Sequence, residues 1–132
     1  MAEKEERKDI PEKRQHKRFD LTSCWLTYAR KGLFSYSKPI QDSQCSVLSM
    51  SRSGVRFLCV EEMKVGQKLM LDVTWKHGAP VQAKAEVIWT DDQVPKGRYR
   101  HRVGVRFTEY VGDAWNRLRR WEEKAAEAEK AG

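Results

Sequence analysis

The sequence is most easily approached through what it lacks. No apolar run comes near the roughly 20 residues that a membrane-spanning helix needs. The opening segment, Met-Ala-Glu-Lys-Glu-Glu-Arg-Lys, has no apolar core of the signal-peptide kind. Together these absences lead us to expect a cytoplasmic chain. Cysteine is scarce and odd in number: Cys24, Cys45 and Cys59. None forms a CxxC pair and each sits in an apolar run, so buried, unreacted thiols are expected rather than a disulfide framework or a metal site. The three histidines, His16, His77 and His101, are scattered without cysteine or carboxylate at ligand spacing. There is no paired nucleophile and base and no phosphate-binding glycine loop of the Walker type, so no enzyme, cofactor or metal is expected.

What the chain does have is charge and alternation. Its 132 residues carry a formal net charge of +7, and that length suits one domain with tails. The first twenty residues nearly balance, and so does the segment after Asp113. The excess is densest from Lys96 to Arg106, where Lys96, Arg98, Arg100, Arg102 and Arg106 occur with no acid among them. A local positive field of this kind favours an anionic partner.

Strand-like runs follow one another through the middle of the chain. Leu21–Ala29 is rich in β-branched and aromatic residues, Gln44–Leu48 is short, and Val55–Val60 follows a small-polar turn. Three segments then alternate with period two. Leu69, Leu71, Val73 and Trp75 share one face, and so do Val81, Ala83, Ala85, Val87 and Trp89. Tyr99, His101, Val103, Val105 and Phe107 share a third, with Arg100, Arg102, Gly104 and Arg106 on the opposite side. From Asp113, a plausible N-cap, Trp115, Leu118 and Trp121 recur at helical spacing. The terminal Ala/Glu/Lys run favours helix but has no apolar stripe, so it is expected to fray. The fold expected is all-β dominated: a six-stranded antiparallel split β-barrel with a C-terminal α-helix. The expected organisation is a charged tail over 1–13, a barrel domain over 14–121 and a fraying helical tail over 122–132. The helix would plug one end or cover the seam.

Two short motifs bear on function. Arg14-Gln15-His16-Lys17-Arg18 places two arginines four apart in a polar segment before the first strand. Ser49-Met50-Ser51-Arg52-Ser53-Gly54 is a serine-rich turn between two strands. Guanidinium forks grip phosphates in pairs of bonds and stack on purine faces. The turn's hydroxyls and backbone N–H groups suit an anion nest, and Gly54 permits close backbone approach.

These motifs, in this order and some thirty residues apart, resemble the RxxxR and (D/N)xSxxG signatures of the PilZ family. Gly104-Val105-Arg106-Phe107 is similar to that family's closing strand. The resemblance runs from about Arg14 to Trp121 and implies a receptor for cyclic di-GMP, held on the outer barrel surface under the leading loop. It implies roles for Arg14 and Arg18 in gripping guanine and phosphate, and for Ser49, Ser51 and Gly54 in lining the site. Arg52, Ser53, Arg56, Arg102 and Arg106 are further candidates. Such a receptor couples the messenger to an effector protein in motility, exopolysaccharide production or related surface behaviour. Ser49 stands where the family has Asp or Asn. A hydroxyl accepts less from the guanine edge than a carboxylate, so affinity about tenfold lower is expected. The alternatives are a PilZ-like adaptor that does not bind the nucleotide and a small basic barrel that binds single-stranded nucleic acid. The second is disfavoured because Tyr99 and Phe107 fall on the core-like face.

Overall fold

The computed structural model describes residues 18–20, 23–31, 45–92 and 97–131. Among these, seven strands precede one helix: β1 (Phe19–Asp20), β2 (Cys24–Arg30), β3 (Cys45–Met50), β4 (Gly54–Cys59), β5 (Lys68–Trp75), β6 (Val81–Asp91), β7 (His101–Tyr110) and α1 (Ala114–Ala131). All the pairings are antiparallel. The sheet order is β1-β3-β2-β5-β6-β7-β4, and a further pairing between β4 and β3 brings the last strand of that order back onto the second. Strands β2 to β7 therefore close a six-stranded barrel, which removes the open edges a sheet this small would otherwise expose. The short β1 adds to the same edge of β3 as β2 but at its other end: Phe19 and Asp20 face Met50 and Ser49, while Trp25 and Leu26 face Ser46 and Cys45.

Alternation explains the core. Leu69, Leu71 and Val73 of β5, Val81, Ala83, Ala85 and Val87 of β6, and Val103, Val105 and Phe107 of β7 all turn inward and are buried. Leu26, Val47, Val55 and Phe57 complete the barrel's lining, and Cys24, Cys45 and Cys59 are buried free thiols among them. Helix α1 covers one end. Ala114, Leu118 and Trp121 are buried there, Trp121 tilts against Trp75 with ring centroids 5.4 Å apart, and its indole Nε1 donates to the Ala79 carbonyl at 3.1 Å. The helix continues through Ala131.

Three details differ from the pattern read in the sequence. The β6–β7 register shifts between Val87 and Trp89. This irregularity breaks the alternation, and Trp89 leaves the inward row to lie against Gly104 on the outer surface. Trp115 is 37% exposed, because the buried stripe of α1 runs through Ala114, Leu118 and Trp121 rather than through Trp115. The last strand begins at His101, so Arg98 and Arg100 precede it, and Tyr99 and His101 are only partly buried.

Candidate functional site

Where β1, β3 and β4 meet, the register brings polar residues to the outer surface. Ser49 pairs with Asp20 on one side and Arg56 on the other. Its neighbours Val47 and Met50 fill the core, and a register shift between Val47 and Ser49 turns Ser49 outward. Although outward, Ser49 is only 1% exposed, because two guanidiniums cover it. Its Oγ accepts from Arg56 Nε at 2.8 Å and from Arg18 Nη1 at 3.4 Å. The contact with Arg18 crosses 31 residues of sequence and ties the leading segment to the barrel.

The Ser51–Ser53 turn lies beside this trio. Ser51 N–H donates to the Gly54 carbonyl at 2.9 Å, and Ser53 N–H donates to Ser51 Oγ at 3.0 Å, so the side chain tightens the turn from within. Ser51 is buried, and the Ser53 carbonyl accepts from Phe107 N–H at 2.8 Å. Gly54 is required by β7: a Cβ there would stand 2.1 Å from the Val105 carbonyl oxygen. The turn is thus held from inside by Ser51 and from outside by β7.

Cross-strand registers extend the outer surface in rows. One row runs Ser49, Arg56, Gly104, Trp89, and the next runs Gly54, Arg106, Glu86, Lys68. In the first, Gly104 gives the Trp89 indole a seat, since a Cβ at 104 would meet Trp89 Nε1 at 2.3 Å. Trp89 is an aromatic plane two strands from the Ser49 arginines. Sequence reasoning placed it in the core; the only hint of its true position was Gly104, a strand-interior glycine of the kind that marks a close approach.

Arg52, Arg102 and Arg106 each meet an acid. Arg106 Nη2 meets Glu86 Oε1 at 2.6 Å, and Lys68 reaches the same oxygen at 3.3 Å. Hydrogen bonds from Lys68, then Arg106, hold Glu86 below the usual carboxylate range. Arg102 meets Asp91 at 2.8 Å and lies 5.9 Å from the Trp89 ring centroid. Arg100 donates to the carbonyls of Gly97 and Tyr99. Arg52 turns away from Ser49 toward α1, where it pairs with Glu122 at 3.5 Å. The structure therefore brings together Arg18, Ser49 and Arg56, with Ser51, Ser53 and Gly54 next to them. It gives Arg52, Arg102 and Arg106 acidic partners, and Arg14 lies outside the described residues.

A family model described as the PilZ domain matches residues 12–124. The chain belongs to the PilZ family. Solved structures agree on the fold. The PilZ domain of YcgR from Escherichia coli, solved with c-di-GMP, superposes with a TM-score of 0.63 at 15% identity, covering 89% of this chain and 95% of that one. The Bacillus subtilis inhibitor of motility MotI/DgrA superposes with a TM-score of 0.56 at 15% identity; 92% of this chain covers 54% of that one. No curated protein sequence matches the chain. The PilZ match includes both sequence motifs, Arg14–Arg18 and Ser49–Gly54. No helix among the described residues is long and apolar enough to cross a membrane.

Proposed function

We propose that this PilZ protein is a receptor for cyclic di-GMP that passes its occupancy to a partner protein. One observation carries the reading: Arg18, from the leading segment, and Arg56, from β4, converge on Ser49 beside the serine turn, whose Ser51 and Ser53 N–H groups are spent on internal bonds rather than on an anion nest, so the guanidiniums are what an anion would meet. Arg56 holds Ser49 through Nε, which leaves the terminal edge of its guanidinium for a phosphate fork. Arg18 brings a second guanidinium from the leading segment to the same hydroxyl. Arg14 would join it when the leading segment folds over the ligand. Ser51 and Gly54 hold the turn beside the phosphate, and Trp89 offers a guanine an aromatic face farther along the same row. The PilZ domain of YcgR, solved with c-di-GMP, supports the ligand, and the motility inhibitor supports an output in motility.

A second reading has its own observation. Ser49 is buried beneath both arginines, an arrangement that also suits a nucleotide-free adaptor whose former site has become a structural knot. Isothermal titration separates the two. The receptor reading expects a saturable heat with cyclic di-GMP in the low-micromolar range or below, lost on Arg18→Asp. Absence of heat at high micromolar ligand favours the adaptor.

A further inference from the structure

The serine turn carries an arginine of its own. Arg52 projects from between Ser51 and Ser53, the two residues whose hydroxyls and N–H groups shape the turn. Its guanidinium does not face Ser49. It lies over Trp115 of α1, with Cζ 5.0 Å from the ring centroid, and meets Glu122 Oε1 at 3.5 Å. Trp115 and Glu122 are seven residues apart on the helix, two turns on one face, so both contacts come from the same side. The turn is anchored there a second time, because the Tyr110 hydroxyl donates to the Arg52 carbonyl and Tyr110 packs edge-on to Trp115 at 5.2 Å.

This arrangement leaves Arg52 poorly satisfied. Its Nε is buried and has no acceptor, and the Glu122 contact is long for a charge-assisted bond. A buried N–H without an acceptor is a cost that a better anion would remove. A phosphodiester at the turn is such an anion, since it offers two oxygens to the fork.

We propose that Arg52 is a phosphate ligand held in reserve by α1, with Glu122 competing against the nucleotide for its guanidinium. Occupancy then moves Arg52 from the helix to the phosphate, uncovers Trp115 and leaves Glu122 without its cation. The helix face bearing these two residues changes chemistry when the turn is filled, which transmits occupancy without movement of the barrel. This rests on the receptor reading above.

Titration of the full chain with cyclic di-GMP tests it, using wild type, Glu122→Gln, Arg52→Ala and the double variant. Removing the competitor is expected to tighten binding about threefold to fivefold, the scale of a partly exposed ion pair. Arg52→Ala is expected to weaken it about tenfold or more, through loss of a charge-assisted fork. In the Arg52→Ala background, Glu122→Gln is expected to add nothing. Ligand should also alter Trp115 emission, read as the difference between wild type and Trp115→Phe, and should fail to do so without Arg52. If wild type binds but Glu122→Gln leaves affinity unchanged, or tightens it equally without Arg52, the handover is overturned while the receptor stands. If wild type gives no heat, the receptor reading falls and the handover falls with it.

Discussion

Ser49 decides how the site's charge is used. A hydroxyl beneath Arg18 and Arg56 orients both guanidiniums while leaving their positive charge intact. A carboxylate in its place would do two further things. It would hold both arginines through charge-assisted bonds, and it would offer a second acceptor to the N1–H and N2–H edge of a guanine. A charge-assisted bond contributes about 1.5–3 kcal/mol against about 1 for a neutral one. Ser49→Asp is therefore expected to tighten cyclic di-GMP binding by about tenfold, read by titration at fixed salt. Weaker binding would show that the new carboxylate is consumed by Arg18 and Arg56, and that the bare guanidiniums are what the ligand needs.

At the scale of elements, the β4–β7 seam depends on one missing side chain. Gly54 pairs with Arg106 so closely that a Cβ would sit 2.1 Å from the Val105 carbonyl oxygen. Backbone cannot swing aside as a flexible side chain can, so Gly54→Ala is expected to cost on the order of 3 kcal/mol or more. Urea unfolding checks this, and a loss under about 1 kcal/mol would mean that the seam has slack. The motif position of Gly54 was legible in the sequence, as were the inward rows of β5 and β7, because strict alternation signals a half-buried strand. Trp89 was not legible, since one irregularity after Val87 shifts the phase of everything beyond it. Trp115 misled for a related reason: three apolar residues at helical spacing fit more than one stripe, and Ala114, which carries little hydrophobic signal, takes the buried place. The arginines of β7 were visible as a run of cations. Their acids were not, because Glu86 and Asp91 meet Arg106 and Arg102 only through the β6 register.

For the whole molecule, those pairings change the meaning of the net charge. Within the basic run read from the sequence, Arg102 and Arg106 are answered by Asp91 and Glu86 on the adjoining strand, which reduces the positive field along that side of the barrel. The core has its own pH limit. Burial pushes the Cys24 thiol up from 9.0 to about 12, since the closed barrel offers a thiolate no water. Tyr28 is likewise raised, by burial first and then by its hydrogen bond to Glu61. Both groups are neutral when protonated and ionise more easily in the unfolded chain. Above pH 9 the unfolded state therefore binds fewer protons than the folded one, and stability falls as pH rises. The contribution from Cys24 is fully present below pH 9 and is lost progressively up to about pH 12. Urea midpoints are expected to hold level from neutral pH to about 9 and then decline, with a shallower decline in Cys24→Ala because one of the raised groups, which also include Tyr28, Cys45 and Tyr110, is gone. An identical alkaline slope in that variant would mean that the thiol reaches solvent in the folded barrel, so that the end of the barrel near Trp75, which α1 covers, opens without unfolding the rest.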